Sequence, residues 1–347
     1  MNYYELNQIS INNTIYTKAN LDELENKDIY LLLKNWFNET ETIAIKTSGS
    51  TGTPKTIQVE KNKMIASAKS TCDYLSLDSN TEALLCLPTN YIGGMMMLVR
   101  AMVANFNLHV VEPSKSPFDG VETPIKFVAM TPYQMEHSLK NDKNKINSID
   151  TIILGGAPLS STLKEKVKNL PNNVYETFGM TETLSHIALK EIKKSDYFQV
   201  LAPTKVSVNN EQCLVIDAPH LGISGLSTND IVELQTPTSF KWLGRKDFVI
   251  NSGGIKIHPE QLEEQISKIT GLDKDNFLIT STPNDRLGEQ VILFYKSEFD
   301  KEKLSQLPKY YRPKESLFLS DFEYTANGKI NRIKTKRKGL KNSSKIN

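Results

Sequence analysis

Thr47-Ser48-Gly49-Ser50-Thr51-Gly52-Thr53-Pro54-Lys55 is the stretch that decides how this chain is read. It holds five hydroxyl side chains, two glycines, one proline and one lysine, with no apolar side chain besides the proline ring. A hydrophobic core has no use for that composition, but a loop that wraps a polyanion does. Small residues let the backbone come close, N–H and O–H groups donate to phosphate oxygens, and a lysine adds a point charge. Ile43-Ala44-Ile45 precedes the stretch and Ile57-Gln58-Val59 follows it, so the loop joins two short strands. The Walker loop of NTPases is excluded: it needs glycine immediately before its lysine and a helix directly after. Pro54 holds that place here, and a strand-like segment follows.

Outward from the loop, strand and helix patterns alternate. Residues 1–40 are polar, with one helix predicted over Ile29–Phe37, where Ile29, Leu32, Leu33 and Trp36 recur at helical spacing. Beyond the loop the pattern predicts helices over Lys61–Leu77, Gly93–Ala104, Pro132–Leu139 and Ser160–Val167. Between them it predicts strands over Leu84–Leu87, Leu108–Val111, Phe127–Met130, Thr151–Leu154 and Val174–Thr177. This alternation argues for an α/β fold with mostly parallel sheets, in which ligands sit beyond the carboxyl ends of the strands. From about residue 200 the predicted elements are strands (205–208, 213–216, 231–234 and 240–243), read as a small β unit closing a large N-terminal domain, 1–246. After Gly244-Arg245-Lys246-Asp247 come a predicted strand (248–250), a helix (259–269), two strands (277–280 and 290–295) and a helix after Asp300. These form a small α+β C-terminal domain, 247–347. Residues 329–347 carry eight Lys or Arg and no acid, and read as a solvated, frayed tail.

Composition narrows the classes. The chain has 347 residues, a net charge of +2 and 24% charged residues, a balance that gives no reason to expect nucleic-acid binding. Cys72, Cys86 and Cys213 are odd in number and lack C-x-x-C spacing, which argues against a disulfide framework or a zinc site. The five histidines show no metal-ligand spacing. The first residues do not read as a signal peptide, and no apolar run is long enough to span a bilayer, so a cytoplasmic location is expected.

Three further polar clusters carry chemistry. Tyr175-Glu176-Thr177-Phe178-Gly179-Met180-Thr181-Glu182-Thr183 offers an aromatic for stacking on a base, a glycine for a tight turn, a hydroxyl for phosphate and a carboxylate for Mg2+. Leu226-Ser227-Thr228-Asn229-Asp230, with Arg245 and Asp247 further on, offers a loop aspartate and an arginine suited to ribose hydroxyls. Thr325-Ala326-Asn327-Gly328-Lys329-Ile330-Asn331-Arg332 sets a lysine on a turn.

In order and spacing these segments resemble the adenylate-forming superfamily of acyl- and aryl-CoA synthetases, luciferases and adenylation domains, over about residues 43–335. The resemblance implies ATP, Mg2+ and CoA as reactants and cofactor. It implies that Thr47, Ser48, Gly49, Ser50, Thr51, Gly52, Thr53 and Lys55 clamp the β- and γ-phosphates. Gly155-Gly156-Ala157-Pro158 and Phe178, with Gly179, would hold adenine; Thr181 the α-phosphate; Glu182 the Mg2+; Asp230 and Arg245 the ribose. Asp247 would be the hinge of a mobile C-terminal domain whose Lys329 serves adenylation, and Gly253-Gly254 would pass the pantetheine arm of CoA.

Leu87-Pro88-Thr89-Asn90-Tyr91-Ile92-Gly93-Gly94 resembles the family's acyl-pocket stretch, with Tyr91 where His is more usual. Arg100 stands in the apolar helix that follows, which is costly unless an anion answers it. It can pair with an internal carboxylate, snorkel to solvent, or bind a second carboxylate on the substrate. An arginine here resembles the o-succinylbenzoate–CoA ligases of menaquinone synthesis, as do Phe127–Pro132 with Gln134, and Thr181–Ser185. That resemblance puts Ser185 and His186 beside the acid pocket. Members of the superfamily usually carry a substantial segment before the phosphate loop. With the loop at residue 47, the expectation is an acyl pocket that is more open or is completed by a second subunit of a homo-oligomer.

Overall fold

The computed structural model describes residues 2–46, 56–324 and 330–343. The Thr47–Lys55 loop and the Gly328-Lys329 turn therefore lie outside the described residues. The chain opens with a hairpin, β1 (Gln8–Ile11) and β2 (Thr14–Thr17), followed by α1 (Lys27–Trp36). Asn26 caps α1 on the Ile29 amide, and the helix buries Ile29, Leu32, Leu33 and Trp36 on one stripe. An antiparallel hairpin, β3 (Thr42–Lys46) with β4 (Thr56–Glu60), holds the two ends of the 47–55 loop side by side.

The main sheet is built from β5 (Glu82–Leu85), β6 (Asn107–Val110), β7 (Phe127–Met130), β8 (Thr151–Leu154) and β9 (Asn173–Gly179). Their connections contain α2 (Lys61–Leu75), which leads into β5, and α3 (Ile92–Ala104), α4 (Pro132–Asn141), α5 (Lys143–Asn147) and α6 (Ser161–Lys168). The order β9-β8-β7-β5-β6-β1 is parallel throughout. Strand residues alternate between two cores, as period-2 side chains on a doubly covered sheet must. Ala83, Leu85, Phe127, Ala129 and Ile153 pack with α1 to α3. Leu84, Val128, Met130, Ile152 and Leu154 pack with α4 to α6.

Residues 1–40 carry more than the one helix predicted, because Ile9 and Ile11 of the short hairpin are buried against the β6 edge. The predicted closing β unit also needs correcting. Strands β10 (His186–Glu191), β11 (Phe198–Val200), β12 (Lys205–Val208), β13 (Cys213–Ala218), β14 (Ile223–Thr236) and β15 (Ser239–Arg245) continue the same sheet in antiparallel sense. β10 pairs along the free edge of β9, so all 13 strands share one hydrogen-bonded sheet.

A second sheet follows, formed by β16 (Ile250–Ser252), β17 (Ile255–Ile257), β18 (Phe277–Asn284), β19 (Gly288–Tyr295) and β20 (Glu315–Phe318). Helix α7 (Pro259–Thr270) covers one face over Ile279, Val291 and Leu293. Helix α8 (Arg332–Ser343) lies on the other face, where Leu278, Ile292 and Phe294 form a separate core. The predicted strand at 248–250 is instead a 3-10 turn, Lys246–Phe248, ahead of β16, and the helix after Asp300 is a 3-10 segment, Lys301–Gln306. The frayed-tail reading fails for α8. Arg332 pairs with Glu263 and sits 3.9 Å from Glu260, and Thr335 is fully buried. The fold class is the expected one: α/β with mostly parallel core strands, and a smaller α+β C-terminal domain.

Candidate active site

The carboxyl ends of β7, β8 and β9 bring the predicted adenine-side residues together. Gly155 donates its amide to Met130 O at 3.1 Å as the chain leaves β8, and Gly156 takes φ +84°. A Cβ on Gly155 would stand 2.6 Å from Thr177 Oγ1, so a bare backbone is what lets the Gly155–Pro158 turn lie against β9. Phe178 is half-buried, with Phe240 at 5.1 Å and Phe198 at 5.7 Å between ring centroids. Its ring is thus held by the core on one side. Gly179 differs from the tight-turn reading. It is the last residue of β9, paired with His186, and a Cβ there would lie 2.5 Å from Ser185 O and 2.6 Å from His186 Cα. Glycine is required for close approach of two backbones, not for a turn.

Between β9 and β10 the loop divides its side chains. Thr181 and Glu182 are exposed, Thr183 is fully buried, and Ser185 and His186 face inward toward α2 and α3. Arg100 is 2% exposed. Its Nη2 donates to Ser185 Oγ at 3.0 Å and its Nη1 approaches Met97 Sδ at 3.8 Å, while Nε has no partner. Among the described residues no carboxylate pairs with it, which leaves no internal ion pair, and its burial leaves no snorkelling to solvent. Burial lowers its pKa to about 10, so it remains a cation at neutral pH. His186 Nε2 lies 3.0 Å from Thr71 Oγ1 on α2. Burial first, and the Arg100 charge second, hold the imidazole well below its usual range, so it is neutral. The result is a buried cation surrounded by hydroxyls, a thioether and a neutral imidazole.

The remaining predicted residues lie apart. Tyr91 is 47% exposed at the start of α3, roughly 13 Å along the helix from Arg100 at 1.5 Å per residue. Asp230 is not in a loop but in β14, directly opposite Arg245 on β15. Its Oδ1 accepts from Trp242 Nε1 at 2.9 Å, and Arg245 reaches 3.8 Å from its Oδ2 and 3.2 Å from Asp247. In strand order β11 and β10 lie between β15 and β9, while Phe240 of β15 packs on Phe178. Gly253 and Gly254, at φ +58° and +81°, form the two-residue tip of the β16–β17 hairpin, where both positions need positive φ. No group of three His, Cys, Asp or Glu gathers among the described residues. A lone exposed Glu182 fits Mg2+, which keeps waters and is bound through one or two carboxylates plus substrate phosphates.

Thr71 carried no signal in the sequence, because a single hydroxyl among many has no context until the chain is folded; Thr183 stood in the Tyr175–Thr183 cluster but was given no role of its own. A third feature is electrostatic. Glu176 of β9 lies 2.6 Å from Lys190 and 3.6 Å from Lys164. Burial pushes its carboxyl up, but those two lysines outweigh burial and leave it below the usual range. Lys274, of the C-terminal domain, adds to the same field.

The profile of the family described as "AMP-binding enzyme" matches residues 23–224. Among solved structures, an acyl-CoA synthetase (AMP-forming)/AMP-acid ligase II-like protein from Dyadobacter fermentans is similar at 32% identity and a TM-score of 0.64, covering 92% of this chain and 98% of that one. The o-succinylbenzoate CoA synthetase of Bacillus subtilis, solved with its acyl-adenylate intermediate, shares the fold at a TM-score of 0.70 and 20% identity, over 84% of this chain and 68% of that one. The 2-succinylbenzoate–CoA ligase of Staphylococcus epidermidis is 26% identical over 329 residues, 85% of this chain and 69% of that protein. Fold and site together define an acid-activating ligase of the acyl-adenylate-forming class. The chain belongs to the AMP-binding enzyme family. No helix among the described residues is long and apolar enough to cross a membrane.

Proposed function

We propose that this protein is an ATP-dependent acid–CoA ligase whose acid carries a second carboxylate, with o-succinylbenzoate the best fit. The observation that carries this reading is Arg100: a fully buried guanidinium answered by a serine hydroxyl and a methionine sulfur, with no described acid beside it. A desolvated cation of that kind is stabilised when an anion binds. An acid with one carboxylate at Arg100 and another at the α-phosphate uses both ends of the site. The similarity to 2-succinylbenzoate–CoA ligases of two staphylococci supports that choice.

In this reading the Thr47–Lys55 loop holds the β- and γ-phosphates. Gly156-Ala157-Pro158 and the free face of Phe178 hold adenine, and Asp230 with Arg245 holds the ribose. A carboxylate is a poor electrophile because its oxygen is a poor leaving group. Its attack on the α-phosphorus expels pyrophosphate and leaves an acyl-adenylate. Thr181 donates to the α-phosphate, and Lys329 neutralises the charge that builds on its oxygens. Mg2+, held through Glu182 and the phosphates, would supply further charge neutralisation. The domain boundary then falls at Asp247. Rotation about it withdraws Lys329 and brings Ser252-Gly253-Gly254 to the site, where the CoA thiol attacks the acyl carbon and AMP leaves.

Pyrophosphate exchange with a panel of acids tests the reading. Exchange should rise with o-succinylbenzoate and stay near background with benzoate or simple fatty acids. Exchange only with a different acid would reassign the substrate. ATP binding with no exchange for any acid would make this a nucleotide-binding module.

A further inference from the structure

Thr183 lies between the two half-sites and belongs to neither. It is fully buried, one residue after Glu182 and two before Ser185. Its Oγ1 accepts from the Met180 amide at 3.0 Å. The same oxygen lies 2.8 Å from Ser185 O and 3.0 Å from Met180 O, so its one proton is shared between two carbonyls. Around it the backbone closes three successive turns. Thr183 N donates to Met180 O at 3.2 Å, Leu184 N to Thr181 O at 3.1 Å, and Ser185 N to Thr183 O at 2.7 Å.

The last of these is an i to i+2 bond. It forces Leu184 to φ +63° and ψ −50°, near the strained form of the γ-turn. A leucine has no local reason to adopt that conformation. The Thr183 hydroxyl, gripping the backbone on both sides, supplies one. The sharp reversal presents Thr181 and Glu182 to solvent and turns the Ser185 hydroxyl back to Arg100 Nη2. On the far side Gly179 packs too closely on Ser185 and His186 for the loop to shift as a rigid piece.

We infer that Thr183 is a positioning residue that couples the nucleotide half-site (Thr181, Glu182) to the acid half-site (Ser185, Arg100) through one hydroxyl. This rests on the acid-ligase reading for what the two halves bind. Without the hydroxyl, Ser185 O and the Met180 amide lose their shared partner, Leu184 relaxes to negative φ, and both rows of side chains move together.

Thr183→Val keeps the side-chain shape and removes the hydroxyl, and Thr183→Ser keeps the hydroxyl. On folded protein, Thr183→Val should raise the KM for the acid and the Kd for Mg·ATP each about tenfold, as expected when buried polar groups lose a partner. Thr183→Ser should hold both within about twofold of the starting protein. Should Thr183→Val not fold, Thr183→Ala removes the hydroxyl without adding atoms and serves the same comparison. A folded Thr183→Val with unchanged Mg·ATP affinity, a change in one ligand alone, or failure of Thr183→Ser to restore both overturns the coupling. If the unaltered protein shows no acid-dependent exchange, the ligase reading fails, while Mg·ATP affinity still decides whether Thr183 organises the loop.

Discussion

Arg100 of α3 and Ser185 of the β9–β10 loop, 85 residues apart in sequence, meet at 3.0 Å, and no described carboxylate joins them. The cost of desolvating that guanidinium is left standing in the free protein. Arg100→Met should therefore stabilise the ligand-free chain, by about 1–4 kcal/mol if it behaves like other replaced buried charges. The same change should raise the KM for a dicarboxylic acid by about 30-fold or more, with little effect on the KM for ATP. Thermal unfolding and exchange kinetics on one preparation read both. A destabilised variant would mean that Arg100 is already paired.

His186 makes a pH prediction. Its neutral form is favoured by burial and by Arg100, with the pKa held well below 6.5. In the unfolded chain it takes up a proton near 6.5, so acidification below that value protonates the unfolded state first. Its contribution to stability is complete above about pH 6.5 and is lost as pH falls toward the depressed folded value. His220 and His258 are lowered by burial and act in the same direction, so the readout is a difference. Urea unfolding between about pH 7.5 and 5 should show a shallower acid slope for His186→Gln than for the parent. Equal slopes would place His186 in contact with solvent.

Elements with clean periodicity were legible in the sequence: α1, α3, β7, β8 and α7 fall within a few residues of their predicted bounds. The rest needed tertiary context. β14 runs from Ile223 to Thr236, yet Gly225, Ser227, Asn229 and Asp230 read as turn residues. Pairing with β13 and β15, with register shifts on both sides, overrides that preference. The β1–β2 hairpin has too few apolar residues to register as a strand pair until the β6 edge is beside it. At the site, the sequence showed a cation in an apolar helix but not whether an acid would answer it. That depends on which residues of β9, β10 and α2 come within reach.

Gly179→Ala is a one-methyl change that should disable the site through the backbone behind Ser185. The added methyl would lie 2.5–2.6 Å from backbone atoms of Ser185 and His186, which cannot swing aside as a side-chain tip could. The strand pair must open by about an ångström, costing about 1–3 kcal/mol of stability and misplacing Ser185. A wild-type melting temperature together with wild-type exchange activity would refute the close approach.

Glu176 holds Lys190 and Lys164 at once, so Glu176→Gln leaves two partly buried cations without their acid. Removing one partner of a buried pair is worth about 3–5 kcal/mol at most, and less here because the lysines retain 15–20% side-chain exposure. A loss of about 1–3 kcal/mol is expected, read by denaturant unfolding. Lys190→Met on the Glu176→Gln background should recover part of it, because the stranded charge is then gone. No recovery would mean that Lys190 is already hydrated when unpaired.

Lys329 tests whether two conformations share the work. On the proposed reading it serves adenylation only, since the thiol step begins from an adenylate whose pyrophosphate has already left. Lys329→Ala should lower pyrophosphate exchange by about 100-fold or more, as loss of one electrostatic contact to a developing charge does. Thioester formation from a supplied acyl-adenylate should remain within a few-fold of the parent. Asp247→Pro should do the reverse: proline fixes φ at the proposed hinge, so exchange persists while thioester formation falls. Both half-reactions are measured on the same protein, so misfolding would lower them together and is recognised as such. If Lys329→Ala slows both steps equally while the fold is intact, a single fixed arrangement of the C-terminal domain serves the whole reaction and the hinge assignment of Asp247 falls with it.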